Sequence, residues 1–199
     1  VAESDVKICN MALSRAGVSN FIEDLGEKSE EAAACDLVYA TLRDLVLREF
    51  PWGFAKTYQT LALVEESPVS GWSYSYRRPS DCLKIHMIAQ SARQSDMISP
   101  IPYDIGSDDS GQLIYTDINP ATLKYTRRVE NTTLFTPDFD SALAWRITAD
   151  ISLPRSRIKG MSEKAMSMYM LELGRAAAHS ANEQQADPDP ESEFIRARY

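Results

Sequence analysis

A chain of 199 residues with 44% hydrophobic content is long enough to bury a core as one domain, or as one domain with a large insertion, and this excludes a disordered chain. Its formal charge of -8 argues against a general nucleic-acid binder, which needs a basic face to displace counterions from phosphates. No apolar run reaches the roughly 18 to 20 residues that span a bilayer, and "VAESDVKICN" lacks a charged-then-apolar signal pattern, so no membrane association is expected.

Ser4 predicts the cap of a first helix running to about Ala16, with Cys9, Ala12, Leu13 and Ala16 on one face and Gly17 placed to end it. Ser29 begins a longer second helix. Glu30 and Glu31 favour its first turn, Cys35, Val38, Tyr39, Leu42, Leu45 and Val46 recur at three-and-four spacing, and Pro51 forbids its continuation. From Thr57 to about Val129 the period changes to two. "TYQTLALV", "WSYSYR", "CLKIHMIA" (Leu83, Ile85 and Met87 on one face), "QLIYT" and "TLKYTRR" read as five or so strands of a small antiparallel sheet or sandwich, with "GSDDSG" and "DINP" as turns.

Thr136, Pro137 and Asp138 restart a helix in which Phe139, Leu143, Ile147 and Ile151 step by four until Pro154. A last helix from Ser162 carries Met166, Met170, Leu173, Ala177 and Ala181 at core-facing spacing. The expected fold class is α+β: a four-helix base made by two N-terminal and two C-terminal helices, an inserted small antiparallel β module, and an extended C-terminal arm. The boundaries are 1–56 and 131–182 for the two halves of the base, 57–130 for the β module and 183–199 for the arm. No internal repeat is visible.

Candidates for chemistry are sparse. There is no G-x-S-x-G turn, P-loop or G-x-G-x-x-G, so nucleophilic hydrolysis and nucleotide binding lack a signature. His86 and His179 are the only imidazoles, and both read as structural or exposed. Cys82 and His86 stand at ligand-like spacing with no second pair to complete a zinc site. "DIGSDDSG" lacks the spacing of a calcium loop and reads as a solvated hairpin turn. No cofactor, metal or catalytic residue is expected. Glu30/Glu31, Glu65/Glu66 and Asp108/Asp109 are adjacent carboxylates, whereas glycosidase carboxyls face one another across a cleft. The three cysteines, Cys9, Cys35 and Cys82, are widely spaced, which predicts reduced, buried thiols and folding in a cytoplasm.

Basic residues gather at Arg77/Arg78, at Arg127/Arg128 and in "LPRSRIKGMSEK". There Arg155, Arg157, Lys159 and Lys164 are either solvated loop charges or a contact patch for an acidic neighbour, including another copy of the chain. In "REFPWGFAKT", Pro51 stops the helix, Gly53 supplies backbone freedom, and Phe50, Trp52 and Phe54 are placed to fill a joint between base and β module. After Ala181 the text is polar, with two Asp-Pro steps, yet finishes in Phe194, Ile195, Arg196, Arg198 and Tyr199, the composition either of a segment that orders on docking or of a merely disordered terminus.

The collinear set "ICNMALSRAGV", "REFPWGFAKT", "RRPSDCLKIHMI" and "LKYTRRVENTTLFTPDFDSALAWRITADIS", followed by an Ala-rich helix, resembles the tail tubular protein A-like family of short-tailed phages, the head-to-tail connector or adaptor proteins. The resemblance covers about residues 4 to 182. It implies a non-enzymatic structural virion protein, assembled in the host bacterial cytoplasm, of which about twelve copies form a ring beneath the portal protein and join it to the tail nozzle protein. DNA would pass through the ring without sequence-specific binding, which suits an acidic chain. By position, Glu191 to Tyr199 map onto the family's portal-directed arm. Two other classes stay open: a virion-associated glycan or cell-wall hydrolase, and a carbohydrate-binding module stacking sugars on Trp72, Tyr74 and Tyr76.

Overall fold

Side-chain oxygens cap the starts of the first three helices. In the computed structural model, which describes residues 4–68, 71–90, 101–155 and 160–183, Ser4 Oγ accepts from the Lys7 N–H at 3.2 Å and caps helix α1 (Asp5–Arg15). Gly17 follows at φ 78°, a left-handed backbone that costs glycine nothing and ends the helix. Ser29 Oγ accepts from the Ala32 N–H at 3.1 Å to start α2 (Glu30–Glu49). Thr136 Oγ1 accepts from the Phe139 N–H at 3.4 Å to start α3 (Pro137–Arg155), and α4 spans Met161–Glu183.

Helix α3 touches each of the other three helices. It is therefore buried on more than the expected four-step stripe: Ala142, Ala144 and Thr148 are fully enclosed together with Phe139, Leu143 and Ile147. Residues of all four helices form one apolar cluster. Among the described residues, no helix is long and apolar enough to cross a membrane.

Two expectations about the helices are corrected. Helix α3 runs through Pro154 to Arg155. A proline in the final turn forfeits one backbone hydrogen bond but need not stop the helix there. In α4 the buried stripe is Ala165, Tyr169 and Ala176, flanked by the half-buried Met166 and Leu173, while Met170 is 58% exposed and Ala177 also faces solvent. A helix rich in Met, Leu and Ala offers neighbouring stripes of similar apolarity. Tyr169 occupies the inner one because its hydroxyl donates to Glu49 on α2, so its ring is buried with its polar tip paired. Ala181 lies among side chains outside the description.

Among the described residues, seven strands follow α2: β1 (Lys56–Thr60), β2 (Ala62–Glu66), β3 (Tyr74–Arg77), β4 (Cys82–Ala89), β5 (Asp104–Asp108), β6 (Gly111–Thr116) and β7 (Thr122–Arg127). They make two antiparallel sheets, ordered β1-β7-β4 and β2-β3-β6-β5. The single strand expected from "TYQTLALV" is divided between them. Leu61 is the corner: its N–H donates to Ala121 O at 2.9 Å and its side chain enters a core drawn from both sheets, with Tyr76, Ile88, Ile114, Leu123 and Tyr125. The expected turn "GSDDSG" is in part strand β5, whose Asp108 pairs with Gly111 across the two-residue turn Asp109-Ser110. Its polar composition concealed it, because both faces are largely exposed. Gly106 on β5 leaves room for the Tyr115 ring, which would have to shift if a Cβ stood there, 2.5 Å away.

The expectation that Leu83, Ile85 and Met87 share one role along β4 is also corrected. The pairing of β4 with β7 shifts register twice, between Cys82 and Lys84 and between Ile85 and Met87. Leu83 packs on the helical core, Ile85 on the sheet core, and Ile88 is the fully buried member.

Helix α2 meets the sheets at β4 and β7. A polar clasp crosses that contact: Arg128 Nε donates to Asp44 Oδ2 at 2.7 Å, and the buried Arg43 donates to Asp44 Oδ1 at 2.9 and 3.0 Å and lies 3.5 Å from Glu130. The two arginines differ in solvent access, and their removal should differ in cost. Arg43→Ala is expected to destabilise by about 1 to 3 kcal/mol, since it strips a buried charge-assisted bond. Arg128→Ala should cost about 0 to 1 kcal/mol, as exposed pairs do. Urea unfolding of the two variants measures the contrast.

Candidate functional site

Among the described residues, the segment between α2 and β1 takes part in most of the aromatic ring contacts. Phe50 is extended, as the residue before a proline must be, and Gly53–Ala55 form one turn of 3-10 helix. Trp52 is 3% exposed and its indole Nε1 donates to Val46 O at 2.9 Å, satisfying a carbonyl of the last turn of α2. Its ring meets Phe50 edge-on at 4.8 Å and Phe139 at 5.1 Å. Phe54 contacts Phe139 at 5.2 Å and Phe135 at 5.6 Å, and Phe135 contacts Phe139 at 4.5 Å. The structure thus brings Phe50, Trp52 and Phe54 together with two rings that sequence reasoning did not associate with them. Phe135 and Phe139 lie far away in the chain, and only the return of α3 beside α2 joins them. The same apolar cluster includes Leu83 and Val129, from the strand region.

Trp52 is enclosed, but Phe50 and Phe54 are half-buried. Their remaining surface floors an open cleft of about 460 Å³ walled by the first turn of α3 (Pro137 and Asp138) and by the C-terminal half of α4 (Ala176, His179, Ser180). At the rim, His179 Nδ1 lies 3.0 Å from Asp138 Oδ2. An aromatic floor with a charged rim suits an apolar or aromatic side chain that carries a polar neighbour.

The other sequence candidates have separate roles. Arg77 forms a two-pronged pair with Asp108, at 2.7 and 2.8 Å, which holds the Asp108 carboxyl down to about 2. Arg78 donates to Gln112 Oε1 at 2.6 Å and to Cys82 O at 2.8 Å. Glu30 and Glu31 stand in the first turn of α2, and Glu65 and Glu66 are exposed on β2. His86 Nε2 lies 2.8 Å from Thr126 Oγ1, and burial, reinforced by Lys84, Lys124 and Lys56, lowers its pKa. Cys9, Cys35 and Cys82 are free and buried; the hydrogen bond between Cys9 and Cys35, with burial, pushes the Cys9 thiol up and keeps it unreactive. Among the described residues no group of three or more His, Cys, Asp or Glu side chains is arranged to hold a metal ion.

Trp72, Tyr74 and Tyr76 do not form a common exposed face. Tyr76 is fully buried with its hydroxyl donating to Ile118 O at 2.9 Å, and Tyr74 packs beside it on the sheet core. Of the basic patch, Lys164 is exposed in the first turn of α4; the Arg155 side chain and all of Arg157 and Lys159 lie outside the described residues. So do Phe194, Ile195, Arg196, Arg198 and Tyr199 of the arm.

Burial of the indole predicts that Trp52→Ala destabilises the fold by roughly 3 kcal/mol or more; thermal or urea unfolding reads this directly. The Arg77–Asp108 pair predicts a titration. Because the Asp108 pKa is depressed to about 2, the pair's contribution is complete above the ordinary carboxylate range near ~4 and disappears as pH falls through the folded value. In Arg77→Gln, the Asp108 carboxyl should return toward ~4, read by NMR titration.

Comparison with known proteins finds no matching family model and no matching curated protein.

Proposed function

We propose that the chain is a head-to-tail adaptor of a short-tailed phage virion: a helical base with an inserted β module, repeated about twelve times in a ring that docks under the portal protein and leads to the tail nozzle protein. Its final residues, Phe194 to Tyr199, form the portal-binding arm, and the ring passes DNA without reading it. The collinear sequence blocks motivate this reading, and the exposed apolar residues of the helices support it. Leu37 on α2 is 80% exposed, and Met170 and Leu171 on α4 are 58% and 47% exposed. These residues lie on two different helices, α2 and α4. A ring needs such a pair of unlike patches, because each copy presents one patch to the neighbour before it and the other to the neighbour after it. An acidic chain of net charge -8 also repels a polyanion that must slide through.

Electron microscopy of the protein mixed with its portal at micromolar concentration tests the proposal. Rings of about twelve copies seated on the portal are expected. Leu37→Glu and Leu171→Glu, both surface changes that leave the core intact, should each abolish ring formation while the chain stays folded. Absence of the protein from purified virions, together with no portal binding, overturns the reading.

A further inference from the structure

We propose that one face of the sheet β1-β7-β4 binds a single-stranded nucleic acid, with phosphates on Lys56, Lys84 and Lys124 and a base stacked on Tyr58. The inference rests on this sheet and not on the adaptor reading.

Register builds the face. Side chains directly opposite one another on antiparallel strands project to the same side. On β7, Leu123 and Tyr125 turn into the sheet core, so Lys124 and Thr126 project from the other side. Lys56 of β1 and Lys84 of β4 both stand opposite Thr126, one on each flank, and Tyr58 stands opposite Lys124. The backbones of Lys56 and Lys84 are therefore about 10 Å apart, two strand spacings, and Lys124 is about 7 Å along β7 from Thr126 between them. The second register shift of β4 brings His86 to the same side, its Nε2 2.8 Å from Thr126 Oγ1.

The formal charge of -8 belongs to the whole chain, and this face is locally the reverse. Burial first, and then Lys84, Lys124 and Lys56, lower the pKa of His86, so the charges acting on it are all cations. The ion pairs among the described residues engage neither Lys56 nor Lys84. Lys84 is exposed, Lys56 and Lys124 are half-buried, and Tyr58 keeps 48% of its surface in water. Lys124 Nζ lies 5.7 Å from the centroid of the Tyr58 ring. A base on that ring would carry its phosphate beside the ammonium groups, and stacking next to a cationic track is how unpaired strands are held. A duplex keeps its bases stacked inside and leaves Tyr58 without a partner. An acidic peptide fits less well, because paired carboxylate oxygens favour the planar fork of arginine over lysine point charges.

Fluorescence anisotropy of a labelled oligothymidylate of about twelve nucleotides, added to the full chain at low salt, tests the proposal. Binding is expected, with log affinity falling against log salt at a slope of about -2, the value for three phosphates neutralised on a single strand. Lys84→Gln, a change of one exposed side chain, should reduce the slope to about -1.4, and Lys56→Gln with Lys84→Gln to about -0.7. Tyr58→Ser should weaken binding about tenfold and leave the slope unchanged. In the parent chain, bound phosphates offset the lysine charges, so the His86 imidazole should titrate at higher pH with the strand than without it, read by NMR. No binding by the parent chain, a slope that the lysine variants leave unchanged, or equal binding of a duplex of the same length overturns the proposal. A polyglutamate peptide that competes as well as the strand also overturns it, by assigning the face to an acidic protein.

Discussion

The indole of Trp52 is the constraint on which the rest of the molecule turns. It sits immediately after the proline that ends α2, donates back to Val46 O at 2.9 Å, and packs edge-on against Phe139 of α3. One side chain therefore ties three elements together: it caps a carbonyl at the end of α2, packs against α3, and stands where the chain turns toward β1. A buried indole N–H without a partner would be costly, so the ring has a single good orientation, and the Val46 carbonyl defines it. Rings fitted to that orientation, Phe50, Phe54 and Phe135, then occupy what space remains.

This arrangement gives "REFPWGFAKT" two roles at once. Its central ring is a structural wedge. The two flanking rings are only partly covered, and the surface they leave in water lines an open cleft of about 460 Å³. Read ring by ring, the joint expected from the sequence is Trp52, while Phe50 and Phe54 keep part of their surface in water. Helix α3 makes both possible, since it carries Phe139 into the wedge and Asp138 to the rim on consecutive residues.

Several polar groups hold elements together. Asp44 joins α2 to the residue after β7, Asp108 is locked to Arg77 across the β3-β6-β5 ribbon, and Glu49 receives the Tyr169 hydroxyl. Such uses leave an acidic surface and scattered exposed apolar side chains as the features open to partners. The adaptor proposal rests on those exposed apolar side chains and on the acidic balance.

The sequence by itself determined the elements whose information is local. Ser4, Ser29 and Thr136 cap helices through atoms three residues away, Gly17 and Pro51 end them through their own backbones, and the change of period after Thr57 marks the strands. What depended on distant neighbours was not legible. Division of "TYQTLALV" at Leu61 needs Ala121 as a hydrogen-bond partner, the polar strand β5 exists only because β6 pairs with it, and the choice of Tyr169 over Met170 requires Glu49 from another helix. The cleft was hidden for the same reason. Phe50, Trp52 and Phe54 were visible as a cluster, but Pro137, Asp138, Ala176 and His179 join them only when α3 and α4 return to α2, because periodicity reports which face of an element is apolar and carries no information about which element will cover it.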